Sequence, residues 1–176
     1  MKATYSHVVS ALLLALLTGC ADSHQIVRQP GTTTTKLKPN DAIYISVPRD
    51  GAYGNEQYPG SGLSTAQTLL SSFAKRARRV EVGSAPQQYD GALKAASERG
   101  FQYLVYLTIL HWEDRATEWS GIPDRVEVKI EVVDVATDAT VGSAIIKGKS
   151  GLATFGGDHP QDLLPKPVEA FVATLY

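Results

Sequence analysis

The chain has 176 residues, a formal net charge of −1 and a single cysteine. A balance this close to neutral argues against nucleic acid as a partner, because binding nucleic acid requires a concentrated positive surface. One cysteine excludes an intrachain disulfide framework.

The chain begins with a predicted targeting segment. Lys2 supplies a positive start, and residues 8–17 are apolar, about half the roughly 20 residues needed to span a bilayer. The sequence Leu17-Thr18-Gly19-Cys20 follows directly. It resembles the lipobox of bacterial lipoproteins, which implies cleavage between Gly19 and Cys20 and lipidation of Cys20. The alternative is an ordinary signal peptide followed by an unrelated cysteine.

The predicted domains are a signal peptide (residues 1–19), a lipidated cysteine with a flexible tether (20–41) and a globular α/β domain (42–176). Cleavage removes Lys2, so the net charge falls from −1 to −2. The tether lacks a hydrophobic period, and about twenty flexible residues span roughly 25 Å, enough to hold the domain clear of the membrane. The alternative for Ile26-Val27 is a short β element.

Sorting to the outer membrane is predicted from Ala21. In bacterial lipoproteins an aspartate directly after the cysteine is the usual signal for retention in the inner membrane, and here Asp22 comes one place later. Retention in the inner membrane is the alternative.

The first half of the globular domain is predicted to contain a strand, a long glycine-rich connection and a helix. Alternating β-branched residues predict a strand at 42–47. The connection at 49–63 ends in Gly60-Ser61-Gly62, where a phosphate-binding loop would lie, but the lysine of that motif is missing. Glycine turns before a helix cap are the alternative. Ser64 and Gln67 have the spacing of a capping box, which predicts a helix at 65–79.

Four cations lie at the end of this predicted helix: Lys75, Arg76, Arg78 and Arg79. One interpretation is that these cations stabilise the negative end of the helix dipole. The other is that they contact anionic lipid head groups or cell-wall polymer.

The second half is predicted to be mainly β. The elements expected are a short strand at 80–82, a helix at 90–99 capped by Gly100, a central strand at 101–112 with apolar residues at both parities, a strand at 125–135 with one wet face, a strand at 140–149 and a helix from Pro165 or Pro167. A β-bulge is expected near Val132-Val133 or Ile145-Ile146. The fold class predicted is α/β (α+β), one domain with a mixed sheet and the order β-α-β-α-β-β-β-α.

The connection at 113–124 is charged but carries Trp119, which either folds back over the sheet edge or faces a partner. Long loops on a rigid scaffold are where recognition usually occurs. The candidate interaction residues come from the two long connections, at 49–63 and 113–124. They are Tyr53, Tyr58, Glu113, Asp114, Arg115, Glu118 and Trp119.

A catalytic or metal site is the competing hypothesis. His111 and Glu113 share one face of a strand while Asp114 points the other way, and His159 lies elsewhere in the chain. Zinc usually requires three or four ligands from fixed positions, and the sequence identifies no third ligand. No cofactor and no metal are predicted, and Asp158 or His159 more simply caps a turn.

Two segments carry a resemblance to a known family. The runs ILHWEDRATEWSG (109–121) and GDHPQDLL (157–164) resemble those of an uncharacterised family of Gram-negative lipoproteins, a domain of unknown function. The resemblance implies no catalytic residue. In element order the chain is also similar to small periplasmic domains of the Tol-Pal translocation and curli secretion proteins, which is an analogy of fold alone.

The function expected is that of a lipid-anchored periplasmic protein, a non-enzymatic interaction or assembly module with an envelope-protein or cell-wall partner. The alternative is a periplasmic hydrolase or metal-dependent enzyme using His111, Glu113 and His159.

Overall fold

The structure, a computed structural model, describes residues 22–29, 36–115, 122–151 and 159–176. The strands are β1 (Ser23–Arg28), β2 (Ala42–Val47), β3 (Ala52–Tyr53), β4 (Glu56–Gln57), β5 (Arg79–Pro86), β6 (Tyr103–Glu113), β7 (Arg125–Asp134) and β8 (Ala139–Lys149). The helices are α1 (Ser61–Phe73), α2 (Tyr89–Glu98), α3 (Pro165–Ala173) and a 3-10 turn at Pro160–Leu163. This is a single domain of the mixed α+β class, as predicted. Strand β1 and the small β3–β4 hairpin are additions to the predicted order.

Six strands form one mixed sheet in the order β1-β8-β7-β6-β2-β5. Strands β5 and β6 run parallel to β2, and the other neighbours are antiparallel. The prediction of a central strand is confirmed, because β6 lies between β7 and β2. The predicted burial on both faces is found at the start of β6, where Tyr103, Leu104 and Val105 are buried. It is not found at Leu110, which is 48% exposed.

The alternation predicted for β7 is also confirmed. Its four inward side chains have no exposed surface: Val126, Val128, Ile130 and Val132. The β7–β8 register shifts between Val132 and Val133, which confirms one of the two positions expected for a bulge.

The main core lies on one face of the sheet, under α1, α3 and the 3-10 turn. Helix α2 covers the other face only near β2 and β6, where Ala92 and Ala96 pack with Tyr44 and Leu104. The rest of that face, formed by β1, β8, β7 and the second half of β6, has no described helix over it. We call it the open face.

Two predicted helices are found close to where they were expected. Helix α2 is followed by Gly100 at φ +69°, a left-handed conformation that favours glycine. Helix α3 begins at Pro165 and buries Val168, Phe171 and Val172. Within the described ranges, no helix is long and apolar enough to cross a bilayer.

The limits predicted for α1 were wrong at both ends. The helix begins at Ser61 and ends at Phe73, so Ser64 lies inside it and forms no capping box. Residues 75–79 therefore lie beyond the last turn. Arg76 still donates a hydrogen bond to the carbonyl oxygen of Ser72 in that turn, a contact of the kind that the dipole interpretation expects. Lys75 and Arg76 also pair with Glu169 of α3, at 2.9 and 2.6 Å. Arg79 pairs with Glu81 and lies over the ring of Phe101.

The predicted linker is wrong for residues 23–28, and the alternative β element is what the structure contains. Strand β1 pairs with β8 along its whole length, from Ser23 opposite Lys149 to Arg28 opposite Ala144. Strand β1 therefore begins three positions after Cys20 in the sequence.

Candidate functional site

The candidate site begins at a bulge in β6 that the sequence analysis missed. Ile109 lies opposite Val128, but His111 lies opposite Glu127, so Leu110 is an extra residue. A bulge changes the face on which the following side chains lie. It places Trp112 on the buried core side, where it is 2% exposed. His111 and Glu113 consequently share the opposite face, as the strand periodicity predicted.

Glu113 is the buried charge at the centre of the site. It is 3% exposed, its Oε2 lies 3.1 Å from Nε2 of His111, and its Oε1 accepts a hydrogen bond from the guanidinium of Arg115. Burial, the largest single effect, raises the pKa of Glu113, but the hydrogen bonds and charge interactions with His111 and Arg115 together outweigh it, so the pKa of this carboxyl lies below its ordinary value. Glu113 is therefore a charged structural centre of the site and not an exposed contact residue.

Tyr53, at the tip of the β3–β4 hairpin, covers this group of charges. Its ring meets the His111 ring edge-on, with centroids 5.2 Å apart, and Cζ of Arg115 lies 5.3 Å from its centroid. The Tyr53 side chain nevertheless remains 41% exposed. A fixed, exposed aromatic ring beside a cation such as Arg115 is typical of a binding hot spot. We call Tyr53, His111, Glu113 and Arg115 the Tyr53 cluster.

Hydrogen bonds to α1 hold the connection that carries Tyr53. The N–H of Gly51 donates to Oγ of Ser61, and the N–H of Gly62 donates to Oδ1 of Asp50, both at 2.8 Å. A carboxylate therefore occupies a helix N-terminal N–H where a phosphate would have to bind. The turn-forming role of the glycines is what the structure shows, and Gly60 has φ +87° at the helix N-cap.

Asp114 forms a second, separate group. Its backbone N–H donates to the hydroxyl of Tyr58, and its Oδ2 lies 3.2 Å from Nδ1 of His159. Beside it, the N–H of Arg115 donates to Oδ1 of Asp124 at 2.6 Å. Asp124 in turn accepts from and donates to Ser150. These hydrogen bonds join the two ends of the 113–124 connection. Nothing in the sequence pattern indicated that Asp124 and Ser150 take part.

The structure does not bring together the residues of the alternative hypothesis, a metal or acid–base site. His111 pairs with Glu113, whereas His159 pairs with Asp114. Among the residues that the structure describes, no three His, Cys, Asp or Glu side chains are arranged to hold a metal ion. His159 precedes the 3-10 turn and its N–H donates to Asp162, so a capping role is observed. Glu118, Trp119 and Asp158 lie outside the described residues, as does Cys20.

Residues 35–175 match the model of a family described as a domain of unknown function (DUF4823). The search of curated proteins found no relative of this chain. Among solved structures, the PelC dodecamer from Paraburkholderia phytofirmans is similar, with a TM-score of 0.61, 16% identity, and coverage of 88% of this chain and 94% of that one. The lipoprotein GNA1162 from Neisseria meningitidis has a TM-score of 0.48, 13% identity and coverage of 77% and 98%. A DUF330 protein from Xanthomonas campestris has a TM-score of 0.46, 9% identity and coverage of 88% and 90%.

Proposed function

The chain belongs to the DUF4823 family, and we propose that it is a lipid-anchored protein of the bacterial envelope that acts as a non-enzymatic interaction or assembly module. Its lipid is attached at Cys20, and its partner binds at the Tyr53 cluster. The observation that carries the proposal is the exposed ring of Tyr53, held against His111 and Arg115 on a connection that is itself hydrogen-bonded to α1.

The geometry of the hairpin favours binding over a purely structural role. Tyr53 is one of four large hydrophobic side chains that are exposed among the described residues, and of these it alone is aromatic. Its ring is already positioned by its neighbours, so the Tyr53 side chain would lose little conformational freedom when a partner binds. The charged groups around it would form the polar rim that surrounds an aromatic anchor in protein interfaces.

A second copy of this chain is the first partner to test. One structure of similar fold is described as a dodecamer, and that description supports self-assembly as a use for this fold. An envelope protein of another sequence or a cell-wall polymer is the alternative partner.

Photo-crosslinking in cells tests the site. A photoreactive residue at position 53 should give discrete adducts, whereas one at position 94, exposed on α2, should not. Tyr53→Ala should abolish capture of the partner while leaving the melting temperature within a few degrees, because exposed substitutions usually change stability by no more than about 0.5 kcal/mol. Leu63→Ala is the matched control, since Leu63 is 47% exposed on α1. Retained capture with a clear loss of stability would mean that Tyr53 serves the fold.

Mass spectrometry of the mature protein tests the anchor. A lipid-modified Cys20 at the N-terminus is the expected result, and an unmodified Cys20 or a different terminus would refute it. Fractionation of the membranes then distinguishes outer from inner.

A further inference from the structure

The start of β1 limits how far the domain lies from its anchor. Only Ala21 and Asp22 separate Cys20 from Ser23, and three residue steps reach at most about 10 Å. Asp22 is itself tied to the domain, because its Oδ1 accepts a hydrogen bond from the N–H of Gly151 at 3.1 Å. If Cys20 carries a lipid, as proposed above, the Ser23 end of the sheet is therefore held at the membrane surface.

This end of the open face carries two exposed cations side by side. In the sheet register, Ser23 lies opposite Lys149 and Lys149 lies opposite Arg125. Both cationic residues are exposed, and neither has an ion pair with any described residue. Glu113 lies opposite Arg125 on the other side, but both its oxygens are engaged by His111 and Arg115. Like charges directly opposite each other destabilise a sheet, so the fold alone does not account for this pair.

The next rung of the sheet extends the positive surface into a groove. Gln25, Lys147 and Glu127 lie in line there, and Lys147 pairs with Glu127 at 3.0 Å. The open groove has a volume of about 610 Å³ and is lined by residues of β1, β6, β7 and β8. Among the described residues that line it, one is acidic, Glu127, and three are cations: Arg125, Lys147 and Lys149. The groove thus has excess positive charge at the end nearest the anchor.

We propose that Arg125 and Lys149 dock this end of the sheet onto anionic lipid head groups of the membrane that holds the lipid anchor. The proposal rests on the anchor of the proposed function and adds an orientation to it. The lipid keeps the chain at the surface, and the two cations hold the Ser23 end of the sheet against the phosphates. Each cation near an anionic surface favours the docked state about fivefold, and salt weakens the effect.

Amine labelling of the lipidated mature protein tests this orientation. The protein is placed in vesicles of phosphatidylcholine, with or without phosphatidylglycerol, and acetylation of each lysine is followed by mass spectrometry. Lys149 should be acetylated at least about fivefold more slowly with phosphatidylglycerol present, since each of the two cations contributes about that factor. Lys94 and Lys166, exposed on α2 and α3, should not change. In Arg125→Glu the slowing at Lys149 should be lost, whereas Lys94→Glu should retain it; melting curves confirm that both variants are folded.

Three outcomes would overturn the proposal, and they differ from one another. If the protein floats with both kinds of vesicle but Lys149 is acetylated at the same rate in both, the protein has its anchor and lacks the docking. Protein that floats with neither has no anchor, so the proposed function fails as well. Equal slowing by inorganic phosphate in detergent, without vesicles, would identify a site for small anions in place of a membrane contact.

Discussion

Replacing Glu113 with glutamine would show whether one buried carboxylate organises the candidate site. The change keeps the size of the side chain and removes its charge. Two charge-assisted hydrogen bonds are weakened, each worth about 1.5–3 kcal/mol when fully buried. The side chains of His111 and Arg115 are 31% and 35% exposed, so solvent reduces both values. We expect a total loss of about 2 kcal/mol, or about 4–8 °C in melting temperature for a domain of this size.

Thermal and denaturant unfolding near neutral pH measure this loss. Glu127→Gln is the matched control, because Glu127 lies opposite His111 and pairs with Lys147, but its side chain is 36% exposed. Such pairs contribute about 0.2–1 kcal/mol. Equal losses in the two variants would refute the conclusion that Glu113 is the buried centre of the cluster.

The pH dependence provides a second measurement. The folded pKa of Glu113 is below its ordinary value of 4.5, because the effect of burial is outweighed by the hydrogen bonds and charge interactions with His111 and Arg115 together. The stabilisation by Glu113 is therefore fully present above pH 4.5 and is lost as the pH falls through the folded pKa. The difference in stability between the wild-type protein and Glu113→Gln should shrink below pH 4.5. A difference that grows on acidification would contradict this sign.

Two further substitutions test the fold. Ile130→Asp should abolish the cooperative melting transition seen by circular dichroism, because Ile130 is fully buried and an unpaired buried carboxylate costs several kcal/mol against a total of about 5–15; an unchanged curve would mean that the inner face of β7 is wrongly assigned. Gly62→Ala should destabilise by about 1–3 kcal/mol, because the new Cβ would lie 2.3 Å from the carbonyl oxygen of Pro48. Gly91→Ala is its control, since a Cβ there meets nothing within 4 Å; equal effects of the two glycine substitutions would show that the contact with Pro48 is not limiting.

The elements that could be predicted from sequence are those whose pattern is local. Strict alternation from Val126 to Val132 identified β7 and its buried face, and the Val132-Val133 doublet indicated a bulge. Strand β1 has a weak local pattern and forms by pairing with β8, about 120 residues away in the chain. The start of α1 was missed for a similar reason. Gly60-Ser61-Gly62 favours a turn by itself, and the contacts with Gly51 and Asp50 make it the first turn of the helix.

The candidate site likewise has features that could be predicted from local sequence patterns and features that could not. Strand periodicity correctly placed His111 and Glu113 on one face, because the bulge residue Leu110 precedes both of them. The contact between Tyr53 and His111 was not predictable, since it joins residues 58 positions apart through a hairpin of two-residue strands. Burial of Glu113 was missed for the same reason: the residues that cover a charge come from elsewhere in the fold.

The position of β1 also limits what partner the Tyr53 cluster can reach. His111 lies on the rung of Glu127, Lys147 and Gln25, which is two residues from Ser23 along β1, or about 7 Å. Three strand spacings of about 4.8 Å also separate β1 from β6, so His111 lies about 16 Å from Ser23. Adding the reach of about 10 Å from Cys20 places the cluster within roughly 26 Å of the bilayer once the anchor is in place. A partner that binds there must therefore reach close to the membrane surface. Copies anchored in one leaflet would present their clusters at the same height, and sharing a surface raises their effective concentration. Assembly through Tyr53 should therefore be strong on membranes and weak in detergent, so crosslinking at position 53 is decisive only in intact envelopes.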